Sequence, residues 1–194
     1  MDFMQLNARR LMRVLPWLLI AASLGACKSY QLGSPATLPF ESIYVRPVMN
    51  QSFAPQAQAL LSSQIREAFL RDGRVRLVSD PSTADAVLVI DLTEYRRSPG
   101  ARESNDTTVA RSFSLGLVAD ISLYDQNRGR YYFRQRQASE RANAYVNNPY
   151  ANPALPETQD FFQSEYQAMP RLTRELAQKI ANEVLSPWPE STAQ

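Results

Sequence analysis

Cys27 carries the only thiol in this chain of 194 residues, and no histidine stands anywhere to assist it. The usual general base is therefore missing, and so are most of the nitrogen and sulfur donors that zinc sites use. A disulfide within the chain cannot form. A serine–lysine nucleophile would need Lys28 or Lys179, the only lysines present. Lys28 adjoins Cys27, and Lys179 falls on the polar side of a helical repeat. Carboxylate pairs remain for acid–base work, but no Gly-rich phosphate loop, G-x-S-x-G elbow or zinc motif accompanies them. The inventory argues against an enzyme and turns attention to what surrounds Cys27.

Leu24-Gly25-Ala26 precede that cysteine, and before them Val14 to Leu24 form an apolar run containing Trp17, Leu18, Leu19 and Ile20, led by Arg9, Arg10 and Arg13. A basic segment, a short apolar segment and small residues before a cysteine resemble the signal peptide of a bacterial lipoprotein, cut between Ala26 and Cys27. The resemblance implies a diacylglycerol on the thiol and an acyl group on the new amino terminus, so that lipid alone tethers the protein, with no other cofactor. The apolar run of about ten residues falls short of the roughly 18–20 needed to cross a bilayer. As a buried core helix it would carry three arginines at one end and Pro16 inside it. Residues 1–26 are accordingly set apart as a leader.

Removing 26 of 194 residues leaves 168, a length that suits one domain with a real core. The leader takes three arginines from the 21 basic residues and Asp2 from the 19 acidic ones, which leaves 18 of each. No basic field remains to draw nucleic acid.

Elements follow from periodicity. Residues 27–42, with Gly33, Pro35 and Pro39, read as the lipidated cysteine and a short tether. Ile43 to Val48 alternates as a first strand. From Pro55 to Asp72, Ala57, Leu60, Leu61, Ile65, Ala68 and Phe69 make one helical stripe, with Pro55 in the first turn and Gly73 at the stop. A short strand over Val75 to Val78 comes next. Ala86 to Ile90 is apolar on both faces, as a central strand should be, and continues through Leu92 and Tyr95.

Phe113, Leu115, Leu117, Ala119, Ile121 and Leu123 then alternate with Ser112, Ser114, Gly116, Asp120 and Ser122, which implies one face on the core and one on water or a partner. The Asp125–Gly129 turn predicts a hairpin of Phe113–Tyr124 with Arg130–Glu140. Alternation puts Tyr131 and Phe133 on one packed face, while Arg134, Arg136 and Arg141 add charge. Asn143 to Glu157, with three prolines and four asparagines, reads as a surface connection. Phe162, Tyr166, Met169, Leu172, Leu176, Ile180 and Val184 then mark a last helix over Asp160 to Leu185, kinked or divided by Pro170.

The expected fold is α/β (α+β): a two-layer sandwich with a mixed four- to five-stranded sheet and two amphipathic helices on one face. Its expected extent is 43–188, with 189–194 a disordered tail.

These residues resemble the lipopolysaccharide-assembly lipoprotein family, LptE-like. The resemblance begins at Cys27-Lys-Ser-Tyr30-Gln-Leu32-Gly33 and continues through Ile43 to Phe53, Arg71-Asp-Gly73, Val78-Ser-Asp-Pro81 and Ala84-Asp-Ala-Val-Leu88. It closes with Phe161 to Trp188. It implies a non-enzymatic lipoprotein of the outer membrane, facing the periplasm or the lumen of a β-barrel. That barrel is the translocon it would plug, helping to place lipopolysaccharide in the outer leaflet. Lys28 after the cysteine, rather than Asp, agrees with outer-membrane sorting as in enteric bacteria.

Lipopolysaccharide carries phosphates, which suit the planar donors of arginine. Arg96, Arg97, Arg102 and Arg111 flank or lie in the loop between two long strands, near where the resemblance places lipid-contacting basic residues. The plainer reading leaves them as solvated residues balanced by Glu94, Glu103, Asp106 and Glu140. Tyr145 and Tyr150 are the candidate partner contacts, because an aromatic in an exposed loop has no core to fill. The same pattern also recurs in periplasmic lipoproteins that activate cell-wall synthases and in auxiliary subunits of lipid transporters. Against the synthase activators stands the tether, which spans at most about 50 Å from Cys27 to Ile43.

Overall fold

The computed structural model describes residues 38–100, 112–146 and 161–186. The expectations for the leader, Cys27, the tether to residue 37, Arg102, Arg111, Tyr150 and the 189–194 tail fall outside the described residues. Within them the order is β1 (Ser42–Val45), β2 (Met49–Asn50), α1 (Pro55–Asp72), β3 (Arg76–Val78), a 3-10 turn (Pro81–Thr83), β4 (Ala86–Pro99), β5 (Ser112–Asp125), β6 (Arg130–Tyr145) and α2 (Phe161–Leu185).

The strands form one mixed sheet in the order β3-β1-β4-β5-β6, with β2 also paired to β4. β1, β2, β3 and β4 run parallel, while β5 and β6 continue the sheet antiparallel. There are six strands, where sequence predicts four or five, because the expected 43–48 strand stops at Val45, before Pro47, and a further short strand, β2, forms beyond it. Pro47 has no N–H for the ladder. On either side the bonds resume on β4, with Arg46 N donating to Leu88 O at 3.0 Å and Gln51 N to Leu92 O at 2.9 Å.

Both helices lie on one face and share a single core with the sheet. α1 buries Ala57, Leu61, Ile65 and Phe69, every fourth residue, with Pro55 at its start. Its end is set by Gly73 at φ 72°, whose N–H donates to Phe69 O at 3.1 Å; a left-handed φ costs glycine little. Of the kink or division that sequence predicts at Pro170, the division does not occur: α2 passes through Pro170 as one continuous helix. Side chains support this turn: Thr173 Oγ1 donates to Met169 O at 2.9 Å, and Gln64 Nε2 of α1 donates to Pro170 O at 3.0 Å. The two helices run parallel, since Gln56 reaches Glu165 at one end and Arg74 reaches Leu185 O at the other.

In β5 the alternation is as expected, and Leu115, Leu117, Ala119, Ile121 and Leu123 face the helices. β4, expected apolar on both faces, sends Ala86, Leu88, Ile90 and Leu92 to the helices, all fully buried, and Val87 and Val89 to the uncovered face. β6 departs from strict alternation. Two register shifts against β5 lie near the turn, and Gln135 sits at φ 47° with its N–H donated to Ser122 Oγ at 3.0 Å. Each extra residue turns the following side chains to the other face. Phe133 therefore enters the core alone, while Tyr131 stands outside it, paired with Tyr124 at 5.0 Å between ring centroids.

At the hairpin end of the sheet, Asp85 ties three elements together. Its carboxylate accepts from Ser42 Oγ at 2.7 Å, Ser42 N at 2.9 Å and Asn127 Nδ2 at 3.1 Å. These bonds, led by the Ser42 hydroxyl, hold the carboxyl below the usual aspartate range. The Ala84-Asp85-Ala86 stretch is thus a structural knot joining β1, β4 and the β5–β6 turn.

Candidate functional site

The face of the sheet away from α1 and α2 carries no second layer among the described residues. Its half nearer Pro99 and Tyr145 is polar. Across the strands there run the rows Ser98–Ser114–Asn143, Arg96–Gly116–Arg141 and Glu94–Val118–Ser139. They floor a depression of about 420 Å³. Gly116 opens a slot between two cationic chains: a Cβ there would touch Arg96 Cβ and Arg141 Cγ, both at 3.8 Å, in ordinary contact. Arg96 Nε donates to Glu94 Oε1 from an exposed side chain, whereas Arg141 makes no ion pair among the described residues. The guanidiniums of Arg96 and Arg141, with Ser98, Ser114, Ser139 and Gln137 around them and the carboxylates of Glu94 and Glu140 at the rim, can take up an anionic oxygen and leave its neighbours hydrated.

Arg97 points the other way. Its Nη2 donates to Glu165 Oε1 at 2.9 Å, and Tyr95 OH donates to the same oxygen at 2.7 Å. Glu165 is 5% exposed against 46% for Arg97, and its second oxygen, Oε2, is buried without a partner among the described residues. Burial first, with Glu165 beside it, pushes the Tyr95 hydroxyl up to about 12, so it remains a donor across the ordinary pH range. Arg97 therefore helps clamp the start of α2 to the end of β4, and it does not converge with Arg96. Tyr145 is 65% exposed at the end of β6, its carbonyl bonded by Ser164.

The family model for lipopolysaccharide assembly, LptE, matches residues 40–184, which takes in every strand and nearly all of both helices. The chain belongs to the lipopolysaccharide-assembly family. No curated protein sequence matches it. Among solved structures it resembles a lipoprotein of Caulobacter crescentus at 21% identity, covering 71% of this chain and 87% of that one with a TM-score of 0.44. It also resembles a minor lipoprotein of Acinetobacter baumannii at 16% identity, with 76% and 92% covered and a TM-score of 0.48. A third likeness is to rare lipoprotein B of Shewanella oneidensis, at 14% identity, 71% and 89% coverage and a TM-score of 0.42. The assignment to the lipopolysaccharide-assembly family stands on the sequence match.

Within this family member, of the four arginines singled out by sequence only Arg96 and Arg97 are described, and β4 separates them. Arg141 takes the place beside Arg96. Counting back from Asp125 opposite Arg130 would have put Ser139 across from Gly116; the two extra residues of β6 bring Arg141 there instead. Glu165 is the other residue that sequence reading passed over, since it sits among polar residues at the start of a helix. No three His, Cys, Asp or Glu side chains gather as metal ligands among the described residues.

The two arginines separate experimentally. Arg97→Ala strands a buried carboxylate, and the loss is expected at about 1–2 kcal/mol by urea unfolding, discounted from the larger cost of a fully buried pair because water reaches Arg97. Arg96→Ala is expected to leave the unfolding midpoint unchanged. Equal effects from both would show that the clamp does not form.

Proposed function

We propose that this chain is the lipid-anchored, non-enzymatic subunit of a lipopolysaccharide translocon in the outer membrane. It binds a β-barrel partner as a plug and helps pass lipopolysaccharide to the outer leaflet. The observation that carries this reading is the polar half of the uncovered sheet face, in a member of the lipopolysaccharide-assembly family. A barrel lumen is polar, and this face meets it with serines, Gly116 and paired charges. Arg96, with Arg102 and Arg111 of the adjoining connection, would supply donors to lipid phosphates. Arg97 stays with Glu165, and Tyr145 and Tyr150 would contact the partner.

Reach supports the same reading. Leu38 begins the described chain at the hairpin end, where Tyr132 OH donates to Pro39 O at 3.3 Å. Arg96 stands opposite Gly116, nine residues along β5 from Asp125 at the hairpin end, a reach of about 30 Å at a rise near 3.3 Å per residue. A bilayer with its headgroups is about 40–45 Å thick. A domain tethered at one end thus carries its phosphate-binding arginines most of the way across the membrane.

Mild detergent extraction of envelopes carrying a tagged copy should recover a large β-barrel protein with it, identified by mass spectrometry. Recovery of the free protein alone would refute the translocon role.

A further inference from the structure

The uncovered face changes character along the strands. At its hairpin end one transverse row crosses five strands: Val78 of β3, Tyr44 of β1, Val87 of β4, Tyr124 of β5 and Tyr131 of β6. At a strand spacing near 4.8 Å the row is about 19 Å wide. Val89 lies on the same face, and the row bounds a shallow depression of about 360 Å³ that Arg46 also lines. The Arg134 guanidinium lies 4.0 Å from the centroid of the Tyr131 ring. Arg46 and Arg134 are exposed and form no ion pair among the described residues.

We propose that this row is a second membrane contact, lying at headgroup depth on the phospholipid surface that holds the acylated cysteine. Three facts favour phospholipid as the occupant. Tyrosines interleaved with valines present apolar bodies with polar tips, the chemistry of side chains that settle at a membrane–water boundary. Two arginines with no ion pair among the described residues, one stacked on a tyrosine, can bury their stems and direct their heads to lipid phosphates. The chain also arrives at the same end of the sheet: the hydroxyl of Tyr132, on the strand that carries Tyr131, bonds Pro39 O, and its ring packs on Phe40 at the edge of the core. Only residues 28–37 separate Cys27 from Leu38, a span of at most about 35 Å.

A row perpendicular to the strands lies at one depth when the strands stand along the membrane normal. The polar half of the face is then carried away from the headgroups. The contact rests on the acylation of Cys27 and on the upright placement proposed above, but its test is separate from that of the translocon role.

The lipidated protein, with its acylation verified by mass, is reconstituted in vesicles of phosphatidylethanolamine and phosphatidylglycerol whose acyl chains carry bromine near the headgroup. Trp188→Phe removes the one tryptophan beyond the leader. Tyr131→Trp and, in a second protein, Tyr44→Trp then report from the row, and Ser98→Trp reports from the polar half. Emission from the two row positions should fall at least about twofold relative to unbrominated vesicles, as for an interfacial aromatic, while the Ser98→Trp signal is unchanged.

Quenching at neither row position, or equal quenching at all three, would overturn the proposal. So would a mature protein that carries no diacylglycerol. Row quenching without barrel recovery would defeat only the translocon role; barrel recovery without row quenching would defeat only this contact.

Discussion

Phe69→Ala is expected to cost about 3–5 kcal/mol of unfolding free energy, the range for truncating a buried aromatic in a core that cannot collapse around the gap. Phe69 is 0% exposed and heads the largest fully buried side chains. It closes the apolar stripe of α1, and its carbonyl accepts the Gly73 N–H that ends the helix, so the cavity opens where α1 is already pinned. With total stability for a domain of this kind about 5–15 kcal/mol, a loss of that size depletes the folded form markedly at growth temperature. Leu70, the next residue, is 67% exposed, and Leu70→Ala is expected to change stability by less than about 0.5 kcal/mol. Urea unfolding of the pair is the check. Similar costs at both positions would mean that α1 does not bury the stripe described.

Cys27→Ser is expected to abolish lipid attachment entirely. The serine hydroxyl is a poor substitute where a thioether must form, and no other cysteine exists. Incorporation of labelled fatty acid should fall from clear labelling to none, and label persisting on the variant would defeat the lipoprotein reading of Cys27. With an ordinary secretory leader in place of residues 1–26, the same variant should leave the membrane fraction for the periplasmic one. Among the described residues no helix is long and apolar enough to cross a membrane, and acyl chains are the hold that the proposed lipidation of Cys27 would supply. Any residual binding by the surface row would show as weak, salt-sensitive association rather than as anchoring.

Much of this architecture is legible from local periodicity. The α1 stripe, its Gly73 stop, the β5 alternation and the hairpin turn each depend on side chains a few residues apart, and packing turned each of them to the expected face. Pro47 and Pro170 show where local rules fall short. Each proline removes one donor, but whether the chain breaks depends on what the neighbours supply. At Pro47 the two flanking segments dock separately on β4, whereas Thr173 and Gln64 hold the helix around Pro170.

By itself the sequence determined the absence of the usual catalytic side chains, the two amphipathic helices and the succession of strands and helices along the chain. These rest on composition and on repeats of two or 3.6 residues, which act over short distances. Which charges share a site was decided only by the tertiary structure. β4 runs on to Pro99, past the Tyr95 end that its polarity suggests, so adjacent Arg96 and Arg97 are forced to opposite faces. One extra residue in β6 after Tyr131 turns Phe133 to the opposite, core face, and that residue and a second together carry Arg141 opposite Gly116. Register is set by pairing across the whole sheet, and a single inserted residue, unmarked in the sequence, changes every partner beyond it.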